Sequence, residues 1–412
     1  MNRNIVLIFF LLVASCATDN KFSTTDFASQ YKNLLLEPSF RTYITGNDSA
    51  TLLFELNRDG LLFMRNENGV FNSSVVFSLL NYNNDRTKTV FDSTNRMISI
   101  NYDSINNTIR GTLNFRTCRC INYIKIKITD VNRNQDYIYG LTIDNRINGS
   151  SAQFNITDNF GEDLMSTILQ AGTSVNIIPP SGSTKLYMRG YFRDYPLALP
   201  PFSVTNPPVF DLHSDSLAII DNTGLEGINF SKEGLYLFQP DTNSNEGFAI
   251  LCTGEDFPAF TTADQLIDAL RYLTTRKEYE KLIASNEKKK SVDEFWLEKA
   301  GNNERGRKLI RVYYGRAHDA NVHFTSYLDG WKTDRGMTYI IFGPPNSVYR
   351  TQNSETWTYH FSDGLPASRF IFTKMQNPFS GNDYVLQRGP ELQNIWYMAV
   401  DSWRAGRIVG DY

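Results

Sequence analysis

The chain has 412 residues, enough for two or three domains. Charged residues make up 21 % and the formal net charge is −3. That excludes the basic footprint of a nucleic-acid-binding protein, and aromatics at 13 %, mostly Phe and Tyr, suit β-rich packing.

The N-terminus carries one cation at Arg3, an apolar run from Ile5 to Val13, and then Ala14-Ser15-Cys16. A basic start, a short apolar core and small residues at its end describe a secretory signal peptide, here residues 1–15. The run is too short to span a bilayer, which needs about 20 apolar residues. Val13-Ala14-Ser15-Cys16 resembles the bacterial lipobox, which implies that Cys16 is acylated and anchors the chain to a membrane. Stable anchoring takes more than one acyl chain, and a triacylated cysteine meets that need. Residues 17–30 are polar and small, and residues 16–35 read as a flexible, lipidated tether. Only Asp19, followed by Lys21, stands where surface-exported lipoproteins carry an acidic cluster, so an outer-membrane lipoprotein on the periplasmic face is expected.

Residues 36–150 alternate apolar and polar positions in short runs, among them Thr51–Leu56, Val75–Leu80, Met97–Tyr102, Thr108–Phe115, Tyr123–Ile128 and Tyr137–Ile143. Asp59-Gly60, Asn68-Gly69 and Asn148-Gly149 punctuate them. Many short strands at this spacing predict a β-sandwich-like domain. Within it Cys118 and Cys120 flank Arg119. On a strand they point to one face, near the upper Cα separation for a disulfide, so a mutual bridge is strained. Pairing of one of them with Cys252, or unpaired buried thiols, are the alternatives; a metal site from Cys-x-Cys alone is a weak reading.

Residues 151–255 continue in β style and predict a second β-rich domain, with Gly234–Gln239 and Gly247–Cys252 as a closing hairpin. Pro179-Pro180 and Leu197–Phe202 belong at edges or loops, because proline removes a ladder donor. Residues 256–412 turn helical. Leu266, Ile267, Leu270 and Leu273 share a face, Ser291-Val-Asp-Glu294 reads as a capping box, and apolar positions from Asn302 to Leu328 keep helical spacing. Lys288-Lys-Lys290 reads as a solvated connector. Short strands are expected again at Met337–Phe342, Glu355–Phe361 and Arg369–Thr373. The fold class is therefore multidomain, with a β-rich, sandwich-like front and a C-terminal α+β domain.

Asp329-Gly-Trp-Lys-Thr-Asp-Arg-Gly336, followed by Tyr339-Ile-Ile-Phe-Gly-Pro-Pro345, resembles the signature of the GWxTD domain proteins. Arg271-Tyr-Leu-Thr-Thr275, Glu278-Tyr279, Phe295-Trp296 and Trp357-Thr-Tyr359 extend the likeness over about residues 225–412. The resemblance implies a predicted envelope lipoprotein and no established activity. Read physically, Gly330 suits a left-handed helix terminus, and Trp331 a buried ring. Thr333 and Asp334 suit turn caps, and Arg335 a forked pair with Asp329 or Asp334. Gly336 then releases a strand that Gly343, Pro344 and Pro345 stop. The alternative is a polar pocket lined by Thr333, Asp334 and Arg335.

No nucleophile elbow, zinc-helix motif or phosphate loop occurs. Ser285-Asn-Glu-Lys288 fits Ser-x-x-Lys without its companion motifs. His318 and His323 stand five apart, on different helix faces, so no metal site and no cofactor are expected. Glu162-Asp163 and Glu255-Asp256 read as solvated turns. Ser49, Ser93, Ser104 and Ser216 each follow Asp and resemble a bacterial O-glycosylation pattern. The expected function is a non-catalytic, membrane-anchored binding or scaffold subunit of an envelope assembly, for outer-membrane biogenesis, secretion or gliding. It would have an envelope protein as partner and no nucleic acid. The alternative is an envelope enzyme or glycan-binding protein with its pocket at the GWxTD corner.

Overall fold

The computed structural model describes residues 21–32, 36–102, 106–205, 210–221, 225–244, 246–361 and 365–410. The signal peptide, Cys16 and Ser104 lie outside the described residues.

The first unit is built from β1 (Ser39–Ile44), β2 (Ser49–Asn57), β3 (Met64–Arg65), β4 (Phe71–Tyr82), β5 (Asp92–Asn101), β6 (Thr108–Arg116), β7 (Ile121–Asp130) and β8 (Gln135–Asp144). One sheet runs β1-β2-β6; the other runs β3-β4-β7-β8, with β5 on β4. Period-two alternation turns Leu52, Phe54 and Leu56 of β2 inward against Val75, Phe77 and Leu79 of β4 and Ile124, Ile126 and Ile128 of β7. Each such buried side chain contributes about 1.5–3 kcal/mol. Phe54 stacks on Phe77 with centroids 4.0 Å apart. Gly111 on β6 makes the room: a Cβ there would stand 2.5 Å from the Phe54 ring.

Cys118 and Cys120 form a disulfide with each other, and Cys252 remains a buried thiol. The strand geometry expected for the pair does not hold. Both lie in the turn between β6 and β7, where the chain draws their Cα atoms to 5.2 Å, well inside the bridging range.

The second unit holds β9 (Asn155–Thr157), β10 (Ile168–Gln170), β11 (Ser174–Ile178), β12 (Lys185–Tyr191), β13 (Ser216–Asp221), β14 (Ile228–Asn229), β15 (Gly234–Gln239) and β16 (Phe248–Thr253). Sheets β10-β16-β15-β12-β13 and β14-β11-β9 enclose Phe154, Ile156, Leu186, Phe238 and Ile250. The antiparallel β15–β16 pair is the predicted hairpin.

The C-terminal domain follows: α1 (Ala263–Ala269), α2 (Arg276–Ile283), α3 (Lys288–Ala300), α4 (Asn303–Phe324), α5 (Asp334–Phe342), β17 (Ser347–Arg350), β18 (Ser354–Tyr359), β19 (Ser368–Lys374), β20 (Tyr384–Leu386) and α6 (Leu392–Arg404). The four strands form an antiparallel meander in chain order. Capping boxes start α1 at Thr262/Gln265 and α2 at Thr275/Glu278. Leu309, Tyr313, Ala317, Ala320 and Phe324 form the buried stripe of α4.

Three expectations fail in this domain. Met337–Phe342 is helix, because Thr333 caps it and every residue from Asp334 to Phe342 is buried. Packing on all sides overrides the β-branched and aromatic composition. Lys288–Lys290 is the first turn of α3 rather than a connector, with Lys288 Nζ paired to Asp264 at 2.5 Å. The Ser291–Glu294 pattern thus sits inside a helix that starts earlier.

The tether expectation also fails over residues 21–32. Phe22, Phe27, Ala28 and Tyr31 are buried in the core of the C-terminal domain. The segment forms two short 3-10 turns, Phe22–Thr24 and Ala28–Tyr31. It is wedged between β8 and β17. Ser29 Oγ donates to Ile138 O at 2.8 Å, and Phe27 N donates to Val348 O at 2.8 Å. Its apolar residues follow no regular period, so the sequence disguised a core element as a linker. No helix among the described residues is long and apolar enough to cross a membrane.

Candidate functional site

The GWxTD corner joins α4 to α5. Beyond Phe324, Thr325 Oγ1 donates to Asn321 O at 2.6 Å and accepts Gly330 N at 2.9 Å, which turns the chain back. Gly330 is not left-handed, as had been expected; it opens a 3-10 turn, Gly330–Lys332. Its need for glycine is spatial, since a Cβ would stand 1.9 Å from Ala320 O. Asn321 Oδ1 accepts Trp331 N at 3.1 Å, and Tyr272 OH donates to Trp331 O at 3.0 Å. The Trp331 ring meets Phe260 and Tyr272 edge-on and is 5 % exposed. Lys332 pairs with Asp329 at 3.0 Å and lies over the indole.

Thr333 is the N-cap of α5. Its Oγ1 accepts Gly336 N at 3.0 Å and donates to Gly330 O at 2.7 Å. Gly336 stands in the first turn of that helix and releases no strand. A Cβ on it would approach Gly330 O to 1.9 Å, so the two glycines let the 3-10 turn and the helix touch. Gly343, at φ +80, ends α5, and Pro344-Pro345 lead into β17. Tyr359 OH donates to Gly343 O at 2.9 Å.

Asp334 caps no turn. Its Oδ2 accepts Leu386 N at 2.8 Å and Arg388 Nη1 at 3.0 Å, while Oδ1 takes Arg388 Nη2. Both side chains are under 10 % exposed, at 6 % and 7 %. Burial pushes the Asp334 carboxyl up against the pull of Arg388.

Arg335 pairs with neither Asp329 nor Asp334. It donates instead to Asn382 O at 2.8 Å and stacks 4.2 Å from the Tyr384 ring centre. It stands 3.6 Å from Glu355. Glu355 is fully buried and also accepts Arg350 Nε at 2.7 Å, Tyr31 OH at 2.8 Å and Trp357 Nε1 at 2.6 Å. Burial alone would raise the Glu355 carboxyl; Arg350 and Arg335 outweigh it and hold the group below its ordinary value. Arg350 Nη1 reaches Gln30 Oε1 and Gly140 O, both at 2.8 Å. One carboxylate thus ties together the N-terminal segment, the first sandwich and the motif helix. Sequence reasoning missed Glu355, Arg350, Arg388 and Tyr31, because partners that far apart in the chain leave no local pattern.

His323 on α4 packs against Tyr31, with centroids 5.6 Å apart. Burial, aided by the positive charge of Arg335, lowers its imidazole from 6.5 to about 4. Between those values the unfolded chain binds the proton more readily, so stability is full above pH about 6.5 and falls as the pH drops to about 4. Urea unfolding from pH 7.5 downward should show that loss, and His323→Phe should remove this part of it. An unchanged profile in His323→Phe would contradict the assignment.

The other candidates are not brought together. Ser285 Oγ bonds Ser291 Oγ while Lys288 goes to Asp264. Asp163 accepts Asn155 Nδ2, and Asp256 accepts Thr261 Oγ1. Among the described residues no group of three or more His, Cys, Asp or Glu is placed to hold a metal ion. Ser93 and Ser216 are exposed near strand starts and Ser49 is half-buried.

Two hollows flank the corner. A cleft of about 600 Å³ separates the second sandwich from the helices; Trp331, Phe260, Lys232, Asp268 and Asp329 stand on its walls. A smaller cavity of about 250 Å³ lies beside Thr333, Asp334 and Arg388. Because Trp331 faces the cleft at one edge, Trp331→Ala is expected to cost about 3 kcal/mol, the low end for a buried tryptophan. Lys332→Ala, which breaks a part-exposed pair, should cost no more than about 1 kcal/mol. Denaturant midpoints of the two variants check the contrast; equal losses would contradict it.

No curated protein matches the chain. A family model described as the GWxTD domain matches residues 234–405, from β15 through α6. The corner and its ionic network therefore belong to a recognised domain, and the chain is a GWxTD domain-containing protein.

Proposed function

We propose that this protein is a non-catalytic binding or scaffold subunit of a cell-envelope assembly serving outer-membrane biogenesis, secretion or gliding. In this reading acyl chains on Cys16 hold it to the outer membrane, on the periplasmic face. The supporting observation is the commitment of the motif: Thr333, Asp334 and Arg335 each spend their polar atoms on partners within the chain. Groups so paired set geometry, whereas a catalytic acid, base or nucleophile has to face a reacting atom. Chain length adds a constraint. Phe22 is buried, and six residues of extended chain span at most about 20 Å, so a lipid on Cys16 would hold the body at the bilayer surface.

Cys16→Ser should move the protein from the membrane to the soluble fraction, and detergent-solubilised membranes should yield a stoichiometric envelope partner with the parent chain. Membrane association that persists in the variant would remove the anchor from this account. A second reading, glycan binding at the corner, is favoured by one observation: Trp331 and Phe260 share the cleft with Gln265, Asp268 and Asp329. Retention on immobilised envelope polysaccharide, lost in Trp331→Ala, would favour it.

A further inference from the structure

After β12 the chain leaves the second sandwich, and residues 192–205 cross the C-terminal domain without regular secondary structure. Three hydrogen bonds pin this strap: Ala198 N to Lys332 O at 2.9 Å, Arg388 Nη2 to Leu199 O at 3.1 Å, and Gly389 N to Pro201 O at 3.1 Å. Pro196, Pro200 and Pro201 stiffen it and deny it backbone donors. Beneath the strap lies the cavity of about 250 Å³, with apolar walls from Leu197, Leu199, Phe210, Tyr327 and Val385.

Three residues on the walls of that cavity carry polar atoms that the protein does not use up. The Tyr195 hydroxyl and Arg388 Nε are enclosed and have no hydrogen-bond partner in the chain. Leaving such groups unpaired costs about 1–3 kcal/mol each, which a ligand would recover. Asp383 commits Oδ2 to Asn377 Nδ2 at 2.7 Å and has Oδ1 to offer. Apart from the exposed carboxylate of Asp194, the other charges on the walls are matched: Asp334 with Arg388, Lys332 with Asp329, and Arg193 with Asp211 and Asp215. The site thus presents donors for a carbonyl or carboxylate, an acceptor for an N–H, and apolar walls between. Pockets for drug-sized ligands run from about 300 Å³ upward, so this one suits something smaller.

We propose that the cavity binds one apolar amino-acid residue, its C=O or carboxylate on Tyr195 and Arg388 and its N–H or amino group toward Asp383. The residue arrives either as a free amino acid or at the end of a peptide. The proposal rests on the reading of the chain as a binding subunit and names what that subunit grips. Burial holds the Asp383 carboxyl up to about 6, which agrees with a group awaiting a donor.

The test is calorimetric titration of the purified full chain with leucine, phenylalanine, Leu-Gly and Gly-Leu. Saturable binding of at least one probe is expected. Tyr195→Phe should weaken it about tenfold or more without lowering the melting temperature, because the variant removes an unpaired buried hydroxyl. Ala198→Leu, which fills the cavity, should abolish it; should that variant fail to fold, Tyr195→Phe decides. Binding of the free amino acids alone identifies them as the source, and binding of the dipeptides identifies a chain end. Silence from all four probes at millimolar concentration, or binding indifferent to both substitutions, overturns the proposal. Partner capture from membranes, measured in parallel, shows whether the binding-subunit reading survives that result.

Discussion

Glu355→Ala is expected to destabilise the protein by about 3–5 kcal/mol, the cost of breaking a buried ion pair by removing one partner. The side chain is fully enclosed and is the only carboxylate that the described structure pairs with either Arg335 or Arg350. Without it two guanidiniums stay buried, one 2 % and one 11 % exposed, and Tyr31 and Trp357 lose an acceptor. A domain is held by only about 5–15 kcal/mol, so much of the chain should unfold at modest denaturant. The N-terminal segment should loosen first, because Tyr31 is its deepest tie to β18. Limited proteolysis should therefore cut residues 21–32 in Glu355→Ala under conditions that spare the parent. A midpoint shift worth less than about 1 kcal/mol would show that the network contributes little.

The second large effect is expected at Asp334. As a turn cap it would be worth about 1 kcal/mol. As the buried partner of Arg388 it is worth about 3–5 kcal/mol when removed alone, since Leu386 N loses its acceptor and the buried guanidinium its one carboxylate among the described residues. Arg388 also holds Leu199 O, one of the three bonds that pin the strap. Asp334→Ala with Arg388→Ala should cost less than the sum of the two single changes, the signature of direct contact. Strict additivity would contradict the pairing.

Much of this architecture was legible in the sequence. Isoleucines alternating with lysines in Tyr123–Ile128 mark β7, whose Ile124, Ile126 and Ile128 are all buried. The apolar spacing from Leu309 to Phe324 marks α4, and the motif itself marks the domain that the family model matches. What escaped was decided by tertiary context. Met337-Thr-Tyr-Ile-Ile-Phe342 has the composition of a strand, and only complete burial behind a threonine cap makes it helix. Phe22, Phe27 and Tyr31 sit in a polar stretch at no regular period, so their burial was invisible. The partners of Arg335 were sought among near neighbours, whereas Glu355 and Asn382 reach it only once the meander is folded. The Cys118–Cys120 bridge was discounted on strand geometry that the turn between β6 and β7 does not have.

The central claim is that the GWxTD residues hold the domain together and are not the groups that act on a ligand. The most direct test measures unfolding free energy and partner recovery from membranes side by side for Asp334→Ala. The account predicts a loss of about 3–5 kcal/mol, with partner recovery falling only in proportion to the folded fraction. An Asp334→Ala protein with the parent's stability and no partner would contradict it and move the binding site to the corner itself.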